Sequence, residues 1–411
     1  MNNLLILGGG TAGAMMANKL RKALDRKDWK ITIVDKDKTH YYQPGFLFIP
    51  FGIYKEQDVI KPKAKFFPTG VEVIFANTEK INADGNSVTL EGGRILSYDY
   101  LIIATGTEIR PDQTPGMKDK LWYKNIFDFY TLEGALALEQ VLKTWQGGKL
   151  VVAITDLPIK CPVAPLEFVF LAEAFFTKKS MRNKVDITFV TPLSGAFTKP
   201  IATQMLSKLL TTKNIKVVTD FYIERIDNEK KKLISYDEKE IAFDLLAIVP
   251  LNMGDKVIAR SGLGDDMNYV PTDKYTLQSK AHNNIFVIGD ATDLPTSKAG
   301  SVAHFAGDIL FENILNTIKG NSLIASFDGH ANCFIETGYG KGTLIDFNYD
   351  TEPLPGAYPV PIIGPFMLLK NNRLNHYGKL IFKWIYWYFL PTGRKLPVKS
   401  EMTMSGKRKP K

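Results

Sequence analysis

Residues Asn2 to Leu20 read NNLLILGGGTAGAMMANKL. An apolar run, a glycine cluster and a helical repeat of alanine, methionine and leucine follow one another without interruption, which predicts a strand, a tight turn and a helix. Within the turn, Gly8, Gly10 and Gly13 stand at GxGxxG spacing. Gly8 permits the turn, Gly10 lets the backbone approach a pyrophosphate at the helix start, and Gly13 lets helix and strand close on each other. The next apolar strand, Lys30 to Val34, ends at Asp35, about 20 residues on, where an acid can accept from ribose hydroxyls. GxGxxG alone is a weak signal. Between a strand and a helix, with the acid in place, it predicts a βαβ dinucleotide unit and an α/β fold.

Further along, residues 71–106 supply a strand, a hairpin around Asp84-Gly85-Asn86, and a buried strand Tyr100 to Ala104 that ends in Thr105-Gly106. A second α/β unit follows. It has a helix near Thr131 to Trp145, strand Lys149 to Ile154, a turn, a helix near Leu166 to Thr177 and strand Asp186 to Val190, then repeats the hairpin and buried strand. Two similar halves predict two Rossmann-like domains. The expected division is residues 1–115 and 266–325 for the first domain, 116–265 for the second, and 326–411 for a C-terminal region. That region opens on a turn-rich segment around Cys333 and ends in a strongly aromatic one.

A chain of 411 residues, 45% hydrophobic and 23% charged, excludes a disordered or fibrous class and leaves room for two domains plus an appendage. The net charge of +9 is most concentrated in SGKRKPK, residues 405–411. No zinc-finger spacing or helix-turn-helix accompanies it, so nucleic acid is not expected, whereas an anionic membrane surface attracts the same charges. Cys161 and Cys333 stand far apart with no CxxC or Cys/His spacing, which predicts no metal site and leaves two buried thiols as the plain reading. Met1-Asn2-Asn3 lacks a basic leader pattern, so the body is expected in the cytoplasm. Residues Tyr377 to Leu390, YGKLIFKWIYWYFL, fall short of the about 20 apolar residues that cross a bilayer. They are expected to lie in a membrane interface as an amphipathic segment, aromatics at headgroup level and Lys379 and Lys383 facing out. A dimer contact or a helix packed on the core is the competing reading.

LIIATGTEIRP (Leu101 to Pro111) and NIFVIGDAT (Asn284 to Thr292) resemble two further signatures of the pyridine nucleotide-disulfide oxidoreductase superfamily. The resemblance implies FAD as cofactor. It would be bound by Gly8, Gly10, Thr11, Ala12, Gly13, Asp35, Lys36, Ala76, Ala104, Thr105, Gly106, Gly289, Asp290 and Lys298. Most members carry a second glycine turn for a nicotinamide dinucleotide in the inserted domain. Here that place reads TDLPIKCPVAPLEF, Thr155 to Phe168, with no glycine to admit a pyrophosphate and three prolines stiffening the backbone.

HYYQPGFLFIPFG (His40 to Gly52), IKCPVAPLEFVFLAEAFF (Ile159 to Phe176), GDATDLPTSKAGSVAH (Gly289 to His304) and CFIETGYGKGTLIDFNYD (Cys333 to Asp350) together resemble the sulfide:quinone oxidoreductase family, in order along essentially the whole chain. That resemblance implies oxidation of sulfide to sulfane sulfur by a Cys161/Cys333 redox pair, with electrons leaving through the flavin to a membrane quinone. Cys161 would face the flavin, Cys333 would receive the sulfur, and Lys298 would lie beside the isoalloxazine. Glu167, His282 and His304 are candidate proton-transfer groups, and Phe334, Ile335, Tyr339 and Phe366 candidate quinone contacts. Since the thiolate is the reactive form, the site is expected to lower the cysteine pKa, with adjacent Lys160 and the following helix start as the candidate causes. Tyr130 stands near the place of a third cysteine found in some relatives, which speaks against long retained sulfur chains. The protein is expected to attach to the membrane peripherally through its C-terminus; a homo-oligomer is left open. The alternatives are a single-subunit NADH:quinone oxidoreductase and a non-catalytic flavin-containing sulfur-binding or redox-sensing module.

Overall fold

The computed structural model describes residues 1–361 and 363–408, so the last three residues of the basic tail lie outside the described residues. The opening stretch forms β1 (Asn2–Leu7) and α1 (Thr11–Ala23), and the acid closes β2 (Trp29–Asp35). With β3 (Glu72–Phe75), β4 (Tyr100–Ile103) and the late strand Ile285–Val287 they make an all-parallel sheet in the order β3-β2-β1-β4 and then that late strand. This is the doubly wound order, whose switch point lies outside the C-terminal ends of the strands.

The second unit repeats it. It contains β5 (Ile126–Phe127), α2 (Leu132–Thr144), β6 (Gly148–Ile154), α3 (Ala164–Lys178), β7 (Val185–Val190), α4 (Pro200–Thr212), β8 (Lys216–Val218) and β9 (Leu245–Val249). Its parallel sheet runs β8-β7-β6-β9-β5. Leu150, Val151, Val152 and Ala153 on β6 are all buried, because helices cover one face of the sheet and a layer that includes Met117, Phe221, Ile226 and Leu233 covers the other. The chain then returns to the first sheet through β10 (Ile285–Val287) and α5 (Gly300–Ile318).

Around Cys333 the turn-rich expectation fails: Ala331–Gly338 is β11, paired antiparallel with β12 (Lys341–Phe347). With β13 (Gly356–Val360) and β14 (Gly364–Leu368) they form a third sheet, in the order β11-β12-β14-β13. Buried Glu336 and Asp346 break the apolar alternation that marks a strand, and their partners, His376 and His330, are contributed by other segments.

The aromatic C-terminal stretch is α6 (Arg373–Phe389), capped by the Asn372 side chain, which accepts from the Asn375 N–H. One face packs inward. Gly378 seats the Phe334 and Phe366 rings, which a Cβ there would meet at 2.5 and 2.7 Å. Tyr386 reaches back to the glycine turn, its hydroxyl 2.6 Å from Thr11 Oγ1 and 2.8 Å from His40 Nε2. The expected outward lysines are a correction. Lys379 is buried against Glu167, and half-buried Lys383 pairs with Asp58. What faces out is Leu374, Tyr377, Ile381, Trp384 and Tyr388, each about half exposed, a stripe at alternating three- and four-residue spacing. Among the described residues, no helix is long and apolar enough to cross a membrane.

Candidate active site

The glycine turn has the shape a dinucleotide needs. A Cβ on Gly8 (φ +95°) would lie 2.3 Å from the Ala104 carbonyl oxygen, and one on Gly13 would lie 1.8 Å from that of Gly8, so neither position tolerates a side chain. At Gly10, which caps the N-terminus of α1, a Cβ would meet nothing within 4 Å, which leaves open space in front of the helix dipole. Beside it, Thr105 Oγ1 is buried with no partner among the described residues, and Gly106 (φ +73°) turns the chain away. Gly289, after β10, would bring a Cβ within 3.3 Å of the Ala12 side chain, so the late GD pair and the glycine turn meet. Burial pushes the Asp290 carboxyl up, against the opposing charges of Lys298 and Lys160. These residues fit FAD, and their unpartnered hydroxyl and open helix end are what it would complete.

Other expected cofactor residues are more distributed. Asp35 accepts from the Gly9 N–H at 2.5 Å and pairs with buried Lys63 at 2.6 Å, a partner sequence reading missed. Lys36, half exposed, points to Asp255 at 3.8 Å. Ala76 donates its backbone N–H to the Asp35 carbonyl. Lys298 is buried; its Nζ donates to the Thr292 and Asp290 carbonyls at 2.7 and 3.1 Å and sits 3.7 Å from the Tyr269 ring centre. Burial brings its pKa down to about 8, against Asp290.

Cys161 stands beyond the end of β6 in the prolyl turn, held by three bonds. Its N–H donates to the Lys298 carbonyl at 2.8 Å, and its carbonyl accepts from the Ala164 N–H at 2.9 Å and the Tyr130 hydroxyl at 3.2 Å. Together they keep it at φ +46°, a left-handed conformation costing a non-glycine residue on the order of 1–3 kcal/mol and concentrated at functional sites. Cys333 comes from β11 of the third sheet, and both thiols are free. They are close enough that a Cys161 charge is among the causes pushing Cys333 up, after burial.

Between α3, β11 and α6 lies the candidate Glu167, with a partner that sequence reading missed, Lys379. Lys379 Nζ bonds both Glu167 oxygens at 2.8 and 3.0 Å and the Phe334 carbonyl at 2.9 Å. Glu167, fully buried, also accepts from the Glu336 N–H at 2.7 Å. Burial holds the Cys161 thiol up at about 11, and Lys379 is the leading influence in the other direction. The expectation of a lowered pKa is therefore corrected, and so is its cause. Lys160 donates instead to Gln43 Oε1 at 3.2 Å and Thr107 O at 3.5 Å. Burial works against the Lys379 charge, and Glu167 holds it protonated.

The remaining candidates divide. Phe334 and Phe366 meet edge to face at 5.0 Å over Gly378, and the backbone carbonyl of Phe334 accepts from Lys379. Ile335 is buried in the main core, and Tyr339 points outward at the β11–β12 turn, its hydroxyl donating to Glu173 at 2.6 Å. His304 on α5 is kept neutral by burial, with a pKa near 4, and faces Asp308 and Lys19. His282 precedes β10, at the end of that strand opposite Gly289-Asp290.

Known proteins resemble this chain over most of its length. Residues 2–153 match the family described as pyridine nucleotide-disulphide oxidoreductase. The mitochondrial sulfide:quinone oxidoreductase of Mus musculus is 27% identical over 85% of this chain and 79% of its own length. A type II NADH:quinone oxidoreductase of Staphylococcus haemolyticus is 26% identical over 78% of this chain and 83% of its own. In fold, the chain is similar to the solved sulfide:quinone oxidoreductase of Aquifex aeolicus, with a TM-score of 0.79 at 23% identity over 96% of this chain and 92% of that one. With two Rossmann-type sheets, a FAD-shaped glycine turn and relatives matched over most of its length, the chain is a homologue of the sulfide:quinone oxidoreductases on the pyridine nucleotide-disulphide oxidoreductase fold.

Proposed function

We propose that this protein oxidises sulfide through Cys161 and Cys333 and passes the electrons to a membrane quinone. One observation carries the reading: two thiols remote in sequence come within electrostatic reach of each other and of the Glu167–Lys379 pair, at the turn where a second dinucleotide site would need glycines. FAD, held at the Gly8–Gly13 turn, supplies the two-electron exchange between thiols and quinone. In the oxidised form, hydrosulfide attacks Cys333 Sγ. The S–S bond breaks, Cys161 leaves as thiolate, and Cys333 carries a persulfide. A second nucleophile, sulfide or a small thiol, takes the outer sulfur, and re-forming the disulfide releases two electrons and the thiol protons. Lys379 stabilises the Cys161 thiolate, Glu167 fixes Lys379 through two bonds, and Lys298 places a positive charge at the base of α5. Sulfide bleaching of the bound flavin, with decylubiquinone restoring it, is the direct test.

The NADH-using alternative is disfavoured by the prolyl turn, and a purely non-catalytic role by the strained, three-bonded Cys161. The outward stripe of α6, with Lys61 4.6 Å from the Trp387 ring centre at its flank, supports peripheral attachment to a membrane where the quinone resides. Burial of each such side chain in lipid contributes about 1.5–3 kcal/mol. Ile381→Asp with Trp384→Asp should therefore weaken sedimentation with anionic vesicles at least about tenfold and leave sulfide bleaching intact. Unchanged sedimentation would remove α6 as the anchor.

A further inference from the structure

The buried Glu167–Lys379 pair has a neighbour that the thiol chemistry does not use. Glu336, on β11, is 1% exposed, yet its carboxylate Oε2 lies 2.7 Å from His376 Nδ1 on α6. Its own backbone N–H donates to Glu167 Oε1, which joins it to the pair. The His376 ring is partly open, with 21% of its side chain exposed. At about 100° per residue, His376 and Lys383 fall close together on α6 and about a third of a turn away from the apolar stripe. The helix thus has a lipid-type side and, away from it, a side on which His376 meets Glu336, Lys379 meets Glu167 and Lys383 meets Asp58.

We propose that His376 and Glu336 form the proton entry for quinone reduction, a reading that rests on the activity proposed above. The balance requires such an entry: HS⁻ + Q + H⁺ gives sulfane sulfur and QH₂, so one proton must come from solvent even if the sulfur side gives up its own. His376 binds a proton at Nε2 from water, and its Nδ1–H bond breaks as an O–H bond forms on Glu336. The Glu336 carboxylic acid then gives that proton to a quinone oxygen: the Glu336 O–H bond breaks and a quinol O–H bond forms as the quinone gains two electrons, Lys379 already carrying its own proton. The groups facing Glu336 are His376 and Lys379 from α6, Glu167 from α3 and Tyr54 from the loop opposite. Burial raises the Glu336 carboxyl, in the direction a proton carrier requires, while His376 and Lys379 oppose it.

The test is rapid mixing on full-length, FAD-loaded protein in two half-reactions, comparing wild type with His376→Ala and Glu336→Gln. In His376→Ala, sulfide should bleach the flavin at the wild-type rate. Reoxidation by decylubiquinone should slow by about 10²-fold, lose its wild-type pH inflection and recover in part with added imidazole. Because buried Glu336→Gln can compromise folding, the surface variant decides. Reoxidation within twofold of wild type, or a slow phase with an unmoved pH profile and no imidazole response, would overturn the proposal. If wild type itself were not bleached by sulfide, the failure would lie with the assigned activity instead.

Discussion

Cys161→Ser and Cys333→Ser are each expected to bind FAD as wild type does and to lose sulfide-driven flavin bleaching by on the order of 10³-fold or more. The two losses differ in kind. Without Cys333 there is no sulfur to accept the sulfane atom; without Cys161 there is no leaving thiolate and no partner with which to re-form the disulfide. Cofactor retention follows from location. The FAD-shaped turn is built from Gly8, Gly13, Ala104 and Gly289, and neither cysteine takes part in that packing. Cysteine and serine are nearly isosteric, and the three bonds that hold Cys161 in its left-handed conformation are all made by its backbone, so the turn should survive the exchange. Bleaching within tenfold of wild type in either variant would refute the redox-pair mechanism.

The second large effect belongs to Lys379. Removing one partner of a buried ion pair leaves an uncompensated charge and costs about 3–5 kcal/mol. Lys379→Met should therefore lower the stability seen in denaturant unfolding by several kcal/mol, reduced to the extent that Glu167 takes up a proton. The double variant Lys379→Met/Glu167→Gln should regain most of that stability, since neither charge is then buried. Reactivity should not return with it. Lys379 is the chief influence lowering Cys161 against the burial that raises it to about 11. Without the cation the thiol titrates higher still, less thiolate is present at any pH below that value, and iodoacetamide alkylation of the reduced protein moves to more alkaline pH. Because Glu167 raises the Cys161 thiol where Lys379 lowers it, the single variant carries the readout: an unshifted alkylation profile in Lys379→Met would show that Lys379 does not act on the thiols.

Much of this was legible in the chain. Strand, glycine turn, helix and Asp35 announce the first unit because the signal is local and sterically strict, with Gly8 and Gly13 at positions where a Cβ would fall 2.3 and 1.8 Å from carbonyl oxygens. The second unit was legible from its buried strands, and the prolyl cysteine from the glycines it lacks. Lys379 was not, because its partner Glu167 lies on another helix and no periodicity links them. In a segment that is aromatic on every side, α6 offered no pattern to distinguish the face that packs on Phe334 from the face that looks out. The strand bearing Cys333 was obscured for a related reason, since Glu336 reads as a surface residue until His376 is brought to it by α6. Tyr339 illustrates the converse: an aromatic beside a candidate site by sequence, it turns outward to bond Glu173.

Electrons should enter at the Cys161/Cys333 pair rather than from a nicotinamide, and anaerobic titration of the purified, FAD-containing protein distinguishes the two sources directly. Stoichiometric sulfide should bleach the flavin, decylubiquinone should restore it, and NADH at the same concentration should leave it oxidised. Rapid bleaching by NADH with indifference to sulfide would contradict entry at the thiols.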